Sequence, residues 1–234
     1  MALILQIETS TTSCSVALAE NGKVLSVKEL NERNIHASHI TLFIQDVLSI
    51  AGKAMRNLDA VAVSMGPGSY TGLRIGVSAA KGLCYALDIP LISVSTLKSM
   101  AAGILEKLSD ENVLLCPMID ARRMEVYTAI FDRSLNEISA VEAKIIDETS
   151  FADLLSNNKL VFFGDGAAKC METLSASSNA LFEADFVNSA IDLSVLAFEK
   201  FEQKQFEDIA YFEPYYLKDF LVATPKKTTT SSSV

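Results

Sequence analysis

The chain contains no tryptophan, only two histidines and only five prolines in 234 residues. Its four cysteines, Cys14, Cys84, Cys116 and Cys170, lie far apart and never form Cys-x-x-Cys, which excludes a zinc ribbon and a paired-thiol redox centre. Each sits among apolar or small neighbours and reads as a small buried hydrophobe. No apolar run approaches the ~20 residues that span a bilayer. Positive charge is also short, with 20 Lys and Arg against 29 Asp and Glu, so the formal charge is −9. Nucleic-acid affinity comes largely from cations that neutralise phosphates, and this balance argues against autonomous binding of RNA or DNA. No basic stretch precedes the apolar start at Met1-Ala2-Leu3-Ile4-Leu5, so no signal peptide is expected and the cytoplasm is the expected compartment. What the chain has in quantity is hydrophobicity. Half its residues are hydrophobic and the mean hydropathy is +0.28, enough to fill one large core or two smaller ones.

The most distinctive stretch is Met65-Gly66-Pro67-Gly68-Ser69-Tyr70-Thr71-Gly72-Leu73-Arg74-Ile75-Gly76. The apolar run at 58–63 reads as a buried strand, stopped by Gly-Pro-Gly. Gly66 and Gly68 admit backbone angles closed to other residues, and Ser69 or Thr71 can cap a helix running to about residue 87. A glycine turn opening a helix presents free N–H groups suited to an anion. No Gly-Lys-Ser/Thr follows, and the spacing Gly-x-Gly-x-x-x-Gly is one residue longer than the dinucleotide fingerprint. A phosphate loop and a structural turn both stay open. On the helix, Gly72, Gly76, Ala79, Ala80 and Leu83 recur at three- and four-residue spacing and form a smooth stripe. Either the chain's own sheet or a helix of another chain can approach it closely.

In chain order, residues 3–7 form a strand, 8–13 a hydroxyl-rich turn, 14–19 a second strand, and Asn21-Gly22 a hairpin into a third at 23–30. Residues 36–50 form an amphipathic helix with Ile40, Phe43, Ile44, Val47 and Leu48 on one face. The glycine-loop unit, a strand at 91–94 and a helix at 96–108 complete the order β-β-β-α-β-α-β-α. Three antiparallel strands followed by two β-α units make a mixed sheet flanked by helices. That is the ribonuclease-H-like unit of actin and the sugar kinases (the ASKHA class), a two-domain α/β fold. A boundary is expected near residue 108, with residues 1–108 and 109–223 as the two domains. The second is expected as a reduced copy, with strands at 113–119, 125–131, 138–146 and 160–163 and helices at 151–155, 167–175 and 191–201. Its last helices are expected to be able to pack back on the first domain. Residues 224–234 are too polar to pack and are expected to be disordered.

Candidate chemistry is sparse. Sugar kinases hold ATP phosphates at the first turn with an aspartate, a glycine and hydroxyls; here the turn is Glu8-Thr9-Ser10-Thr11-Thr12, without glycine. With Gly66 and Gly68 it reads as a weak or vestigial nucleotide site. His36 and His39 share a helix face, adequate for two metal ligands, but no third ligand is nearby. Asp120 and Glu125 flank a polar corner with Arg122 and Arg123, either as an acid and a base or as surface charge. No Ser-His-Asp or Cys-His set can be assembled. Neither a catalytic residue nor a metal or cofactor is expected.

Five blocks resemble the bacterial TsaB family in that family's order: Ile4-Leu5-Gln6-Ile7-Glu8-Thr9-Ser10; Gly66 to Gly76; Ile89-Pro90 to Ser95-Thr96-Leu97; Ile119-Asp120-Ala121-Arg122 with Glu125-Val126-Tyr127; and Glu213-Pro214-Tyr215-Tyr216-Leu217. The catalytic sister, TsaD, shares part of the glycine block but carries His-x-x-x-His where this chain has Ser95-Thr96-Leu97-Lys98-Ser99-Met100. The resemblance implies a non-catalytic subunit in the making of threonylcarbamoyladenosine at position 37 of tRNAs that read codons beginning with A. It implies pairing with a TsaD-type subunit, a TsaE-type ATPase acting through the complex, a homodimer when alone, and tRNA reached through the assembly. The implied pairing face comprises His36, His39, Ile40 and Phe43 on one helix and Gly72, Arg74, Ile75, Gly76, Ala79, Ala80 and Leu83 on the other. Arg74, Arg122, Lys226 and Lys227 are available for contacts to tRNA within the complex. The alternatives are a small-molecule kinase or ATPase using Glu8 and Thr9, and a metallopeptidase-like protein, which the missing His-x-x-x-His disfavours.

Overall fold

The computed structural model of the chain describes residues 1–218; the expected disordered tail, with Lys226 and Lys227, lies outside them. The first sheet is built from β1 (Leu3–Glu8), β2 (Ser13–Glu20), β3 (Lys23–Asn31), β4 (Ala60–Ser64) and β5 (Leu91–Val94) in the order β3-β2-β1-β4-β5. β1 is antiparallel to β2 and parallel to β4, so it is buried throughout and reads as an apolar run. Asn21 and Gly22 both have positive φ, as a type I′ hairpin requires.

The second sheet uses β6 (Val113–Asp120), β7 (Glu125–Phe131), β8 (Glu137–Ile145), β9 (Lys159–Phe163) and β10 (Ala180–Glu183) in the order β10-β9-β6-β7-β8. Strand directions repeat those of the first sheet, so the chain holds the same five-stranded unit twice. The second sheet is therefore complete rather than reduced. Its last strand is missing from the sequence reading because Ala-Leu-Phe-Glu is four residues long and wholly outside the deep core. The helices of this half are the shortened part: α4 (Ala152–Leu155) is four residues and α5 (Ala167–Leu174) eight.

In the first half, α1 (His36–Ile50) and α2 (Tyr70–Leu87) cover one face of the first sheet, closing a core of Leu5, Ile7, Val16, Leu18, Val61 and Val63 with Ile40, Ile44, Val47 and Val77. The two remaining larger helices cross over. α3 (Thr96–Ile104) puts Leu97, Met100, Ala101 and Ile104 against Leu115, Phe131 and Phe163 of the second sheet. A 3-10 turn (Ala190–Leu193) and α6 (Ser194–Glu202) put Leu193, Leu196 and Ala197 against Ile4, Ala62, Ile92 and Val94 on the other face of the first sheet. One face of each sheet is thus covered by a helix encoded outside the run of that sheet's own strands.

All four cysteines are free and buried. Burial pushes the Cys14 and Cys84 thiols up to about 11 and Cys116 up to about 12, which leaves them protonated and inert near neutral pH.

The glycines of α2 differ sharply in what surrounds them. A Cβ on Gly72 would lie 2.0 Å from the Thr9 carbonyl oxygen, whereas one on Gly82 meets nothing within 4 Å. Gly72→Ala is therefore expected to cost about 2–4 kcal/mol through a backbone clash. Gly82→Ala is expected to stabilise by roughly 0.5–1 kcal/mol through helix propensity. Urea denaturation of the two variants checks the opposite signs.

Candidate functional site

The turn from Glu8 to Ser13 is where the two halves and the glycine loop converge. Glu8 is fully buried, its Oε1 accepting from the Ser10 backbone N–H (2.6 Å) and the Ser64 hydroxyl (3.0 Å). Burial raises the Glu8 carboxyl above the usual carboxylate range, opposed by the bonds from Ser10 and Ser64. Thr9 and Ser10 are also fully buried, and Thr11 nearly so.

The glycine loop lies directly on this turn. Gly66 has φ +111°, open only to glycine, and a Cβ at Gly68 would sit 2.4 Å from the Ser10 carbonyl oxygen. Ser69 caps α2, its hydroxyl accepting from Gly72 N–H at 3.2 Å, while Ser69 N–H donates to the Ser10 carbonyl at 2.6 Å. Gly66 N–H donates to the Thr96 hydroxyl at 3.1 Å. Thus Glu8, Thr9, Ser10, Thr11, Gly66 and Gly68 do come together, but as a packed junction. The N–H groups of Gly66, Ser69 and Gly72, which an anion would need, are bonded within the protein.

The far side of the turn is gripped by a segment that the sequence reading missed. Asn188 Nδ2 donates to the Ser10 hydroxyl (3.4 Å), Ala190 N–H to the Ser15 hydroxyl (2.9 Å), and the Ser15 and Ser189 hydroxyls both donate to Glu29 Oε2 (3.1 and 2.7 Å). Ser189 and Asp192 form a capping box, with Ser189 N–H donating to Asp192 Oδ2 at 3.1 Å. The pattern Ser189-Ala190-Ile191-Asp192 is the available sequence signal for it. Burial, with the negative charges of Glu8 and Glu29, pushes the Asp192 carboxyl up to about 7.

The pairing-face residues separate into two groups. Gly72, Gly76 and Ala80 are buried, and Gly72 and Gly76 back onto Thr9 of the chain's own turn, so the glycine stripe is intramolecular. His36 is buried, with Nε2 at 3.2 Å from the Ser13 carbonyl oxygen, and Ile40 is core. These five leave the candidate face. His39, Phe43, Ile75, Ala79 and Leu83 remain half-buried, and Arg74 is exposed. His39 and Phe43 meet edge to face at 5.5 Å. Leu42, 53% exposed, and Ile50, 59% exposed, extend the apolar surface of α1 and were not singled out in the sequence, because both lie off the core stripe.

His39 Nδ1 lies near the Ile35 carbonyl and the Ser38 hydroxyl, so the two imidazoles engage separate partners. Among the described residues no group of three or more His, Cys, Asp and Glu is gathered. At the polar corner, Asp120 pairs with Lys169 and Glu125 with Lys218. Lys169 also donates to the Glu125 carbonyl at 2.7 Å. Both carboxylates are thus held in ion pairs that span the corner. No helix of the described residues is long and apolar enough to cross a membrane.

Comparison with known proteins adds the following. The family model for TsaD, tRNA N6-adenosine threonylcarbamoyltransferase, matches residues 27–231. A tRNA threonylcarbamoyladenosine biosynthesis protein TsaB from Escherichia coli is 34% identical over 221 residues, spanning 92% of this chain and 94% of that one. A crystal structure from Pseudomonas aeruginosa, of a protein described as similar to the peptidase YeaZ, superposes with a TM-score of 0.81 at 25% identity, covering 93% of this chain and all of that one. An inorganic polyphosphate/ATP-glucomannokinase from an Arthrobacter strain superposes with a TM-score of 0.50 at 11% identity over 87% of this chain and all of that one, a likeness of fold alone. The fold is therefore of the actin and sugar-kinase class.

The Asp192 geometry predicts a pH dependence. A carboxyl raised from 3.8 to about 7 by folding binds its proton more tightly in the native state, so stability falls as pH rises between those values. Asp192→Asn, which can still accept from Ser189 N–H, is expected to match the wild type near pH 4 and to exceed it in thermal midpoint at pH 8. Parallel melting curves across that range would contradict the assignment.

Proposed function

This chain belongs to the TsaB family and takes part in tRNA threonylcarbamoyladenosine biosynthesis, and from that premise we propose that it acts as a non-catalytic partner of a TsaD-type threonylcarbamoyltransferase. In this reading it binds and supports the catalytic subunit, a TsaE-type ATPase joins through the complex, and tRNA is modified by the assembly at adenosine 37. Alone, the chain covers the same surface by forming a homodimer.

The observation that carries the reading is the apolar face left open on α1 and α2, where Leu42 and Ile50 are more than half exposed beside half-buried His39, Phe43, Ile75, Ala79 and Leu83. Water-facing apolar surface of this kind is stabilised by a partner that removes it from solvent. The non-catalytic role is supported by the packed turn. The kinase or ATPase alternative needs phosphates over residues 9–12, where Ser69, Gly68 and Asn188 already lie.

Size-exclusion chromatography with light scattering, on the protein alone and mixed with the same organism's TsaD, tests the proposal. A homodimer that converts to a mixed complex is expected. Leu42→Arg is expected to weaken the mixed complex at least tenfold with an unchanged melting temperature, because residue 42 faces water in the monomer. A monomer indifferent to TsaD, or ATP turnover by the pure protein that is lost in Glu8→Gln, would favour the enzyme reading instead.

A further inference from the structure

Helix α2 carries a second exposed feature, distinct from its apolar side. Tyr70, Arg74, Lys81 and Tyr85 recur at i, i+4, i+11 and i+15, so they line one side of the helix over about 22 Å. Residues 207–217 run beside them in the opposite direction as a strap. Glu207 N–H donates to the Leu91 carbonyl (2.9 Å), Lys81 Nζ donates to the carbonyls of Ala210 (3.4 Å) and Phe212 (3.0 Å), and Tyr215 N–H donates to the Met65 carbonyl (2.7 Å). The strap delivers Tyr211, Tyr215 and Tyr216 to the same side. Five of the chain's six tyrosines thus lie on α2 or on the strap beside it, with Tyr216 in contact with Tyr70 and Arg74.

The stripe is ordered and open. The Arg74 guanidinium lies 4.3 Å from the centre of the Tyr70 ring, its Nε donates to the Tyr216 hydroxyl at 3.3 Å, and the two rings are 4.7 Å apart. Tyr85 and Tyr211 are each 84% exposed. Although the chain is acidic overall, α2 contains no Asp or Glu in its 18 residues. On the strap, Glu207 is bonded to the Ser93 hydroxyl and Asp208 to the N–H groups of Ala210 and Tyr211, which leaves Glu213 as the carboxylate acting on Arg74.

We propose that this tyrosine–arginine stripe is a contact surface for single-stranded RNA, with loop nucleotides of the tRNA stacking on the exposed rings and Arg74 taking a backbone phosphate. A guanidinium held over an aromatic ring and bonded to a second tyrosine is restrained in place for a phosphate, and exposed rings accept bases of any sequence. A protein partner is fitted less well: the aliphatic residues Ile75, Ala79 and Leu83 lie on other positions of the helix, and the stripe offers mainly rings, hydroxyls and the Arg74 guanidinium, with Glu213 near it. The inference rests on the tRNA-modification reading above and goes beyond it by giving this subunit its own hold on the RNA.

The test is fluorescence anisotropy with labelled substrate tRNA, titrated with the full-length protein assembled with the same organism's TsaD, over a range of salt. Tyr85→Ala is expected to weaken binding about fivefold or more with the salt slope unchanged. Arg74→Ala is expected to weaken binding and to lower the slope by roughly 0.7, the loss of one phosphate contact. Wild-type affinity in both variants overturns the inference. So does loss of TsaD binding in place of RNA binding, which would make the stripe a protein contact. Failure of the underlying reading shows differently: a chain that never joins TsaD, in cells that modify tRNA without it. In that case the same two variants, titrated as the chain alone, still decide whether the stripe holds RNA.

Discussion

The architecture depends on one close approach: the first turn of α2 laid backbone to backbone on the turn between β1 and β2. Only glycine at 68 and 72 allows it, because the carbonyl oxygens of Ser10 and Thr9 occupy the space that a Cβ would need. Once α2 lies there, several consequences follow together. Glu8 is sealed from water, the glycine loop's donors turn inward, and the helix presents its remaining sides to α1, to the strap and to solvent. An open phosphate cradle and this degree of contact exclude each other in the same loop. The strand order of the actin and sugar-kinase class is present twice, and at the first turn the glycine loop packs main chain against main chain.

Much of this was legible from residue pattern. The period-two strands, the Asn21-Gly22 hairpin, the start of α2 at Ser69 and the whole of α1 follow from local chemistry, and their bounds lie within a residue or two of those expected. The site was less legible. A stripe of small residues says that something comes close, without saying what. Here the answer was an internal turn some 60 residues earlier, so Gly72, Gly76 and Ala80 are unavailable to a partner. His36 reads as a surface or interface residue yet is buried, with its ring against the Ser13 carbonyl. The β10 strand and the grip of Asn188 and Ser189 on the first turn depend on tertiary contact between distant stretches, which no local window contains.

The division of labour on α2 follows from helical geometry. Positions 72, 73, 76, 77, 80 and 84 face inward, positions 75, 79 and 83 lie beside α1, and positions 74, 81 and 85 lie beside the strap. One helix with 3.6 residues per turn thus serves a core, an apolar flank and a polar, aromatic flank without conflict. The absence of acidic residues from all three is unusual in a chain of charge −9 and sets this helix apart from the rest of the surface.

The exchange of helices between the two sheets has a consequence for biogenesis. When a ribosome has released only the first hundred or so residues, the face of the first sheet formed by Ile4, Ala60, Ala62, Ile92 and Val94 has nothing to cover it, since its cover is the stretch from Leu193 to Ala197. Phe212 and Ile209, which close the opposite core beside α2, arrive later still. The amino-terminal half therefore keeps this apolar surface bare until the stretch from residue 193 to residue 212 has been made.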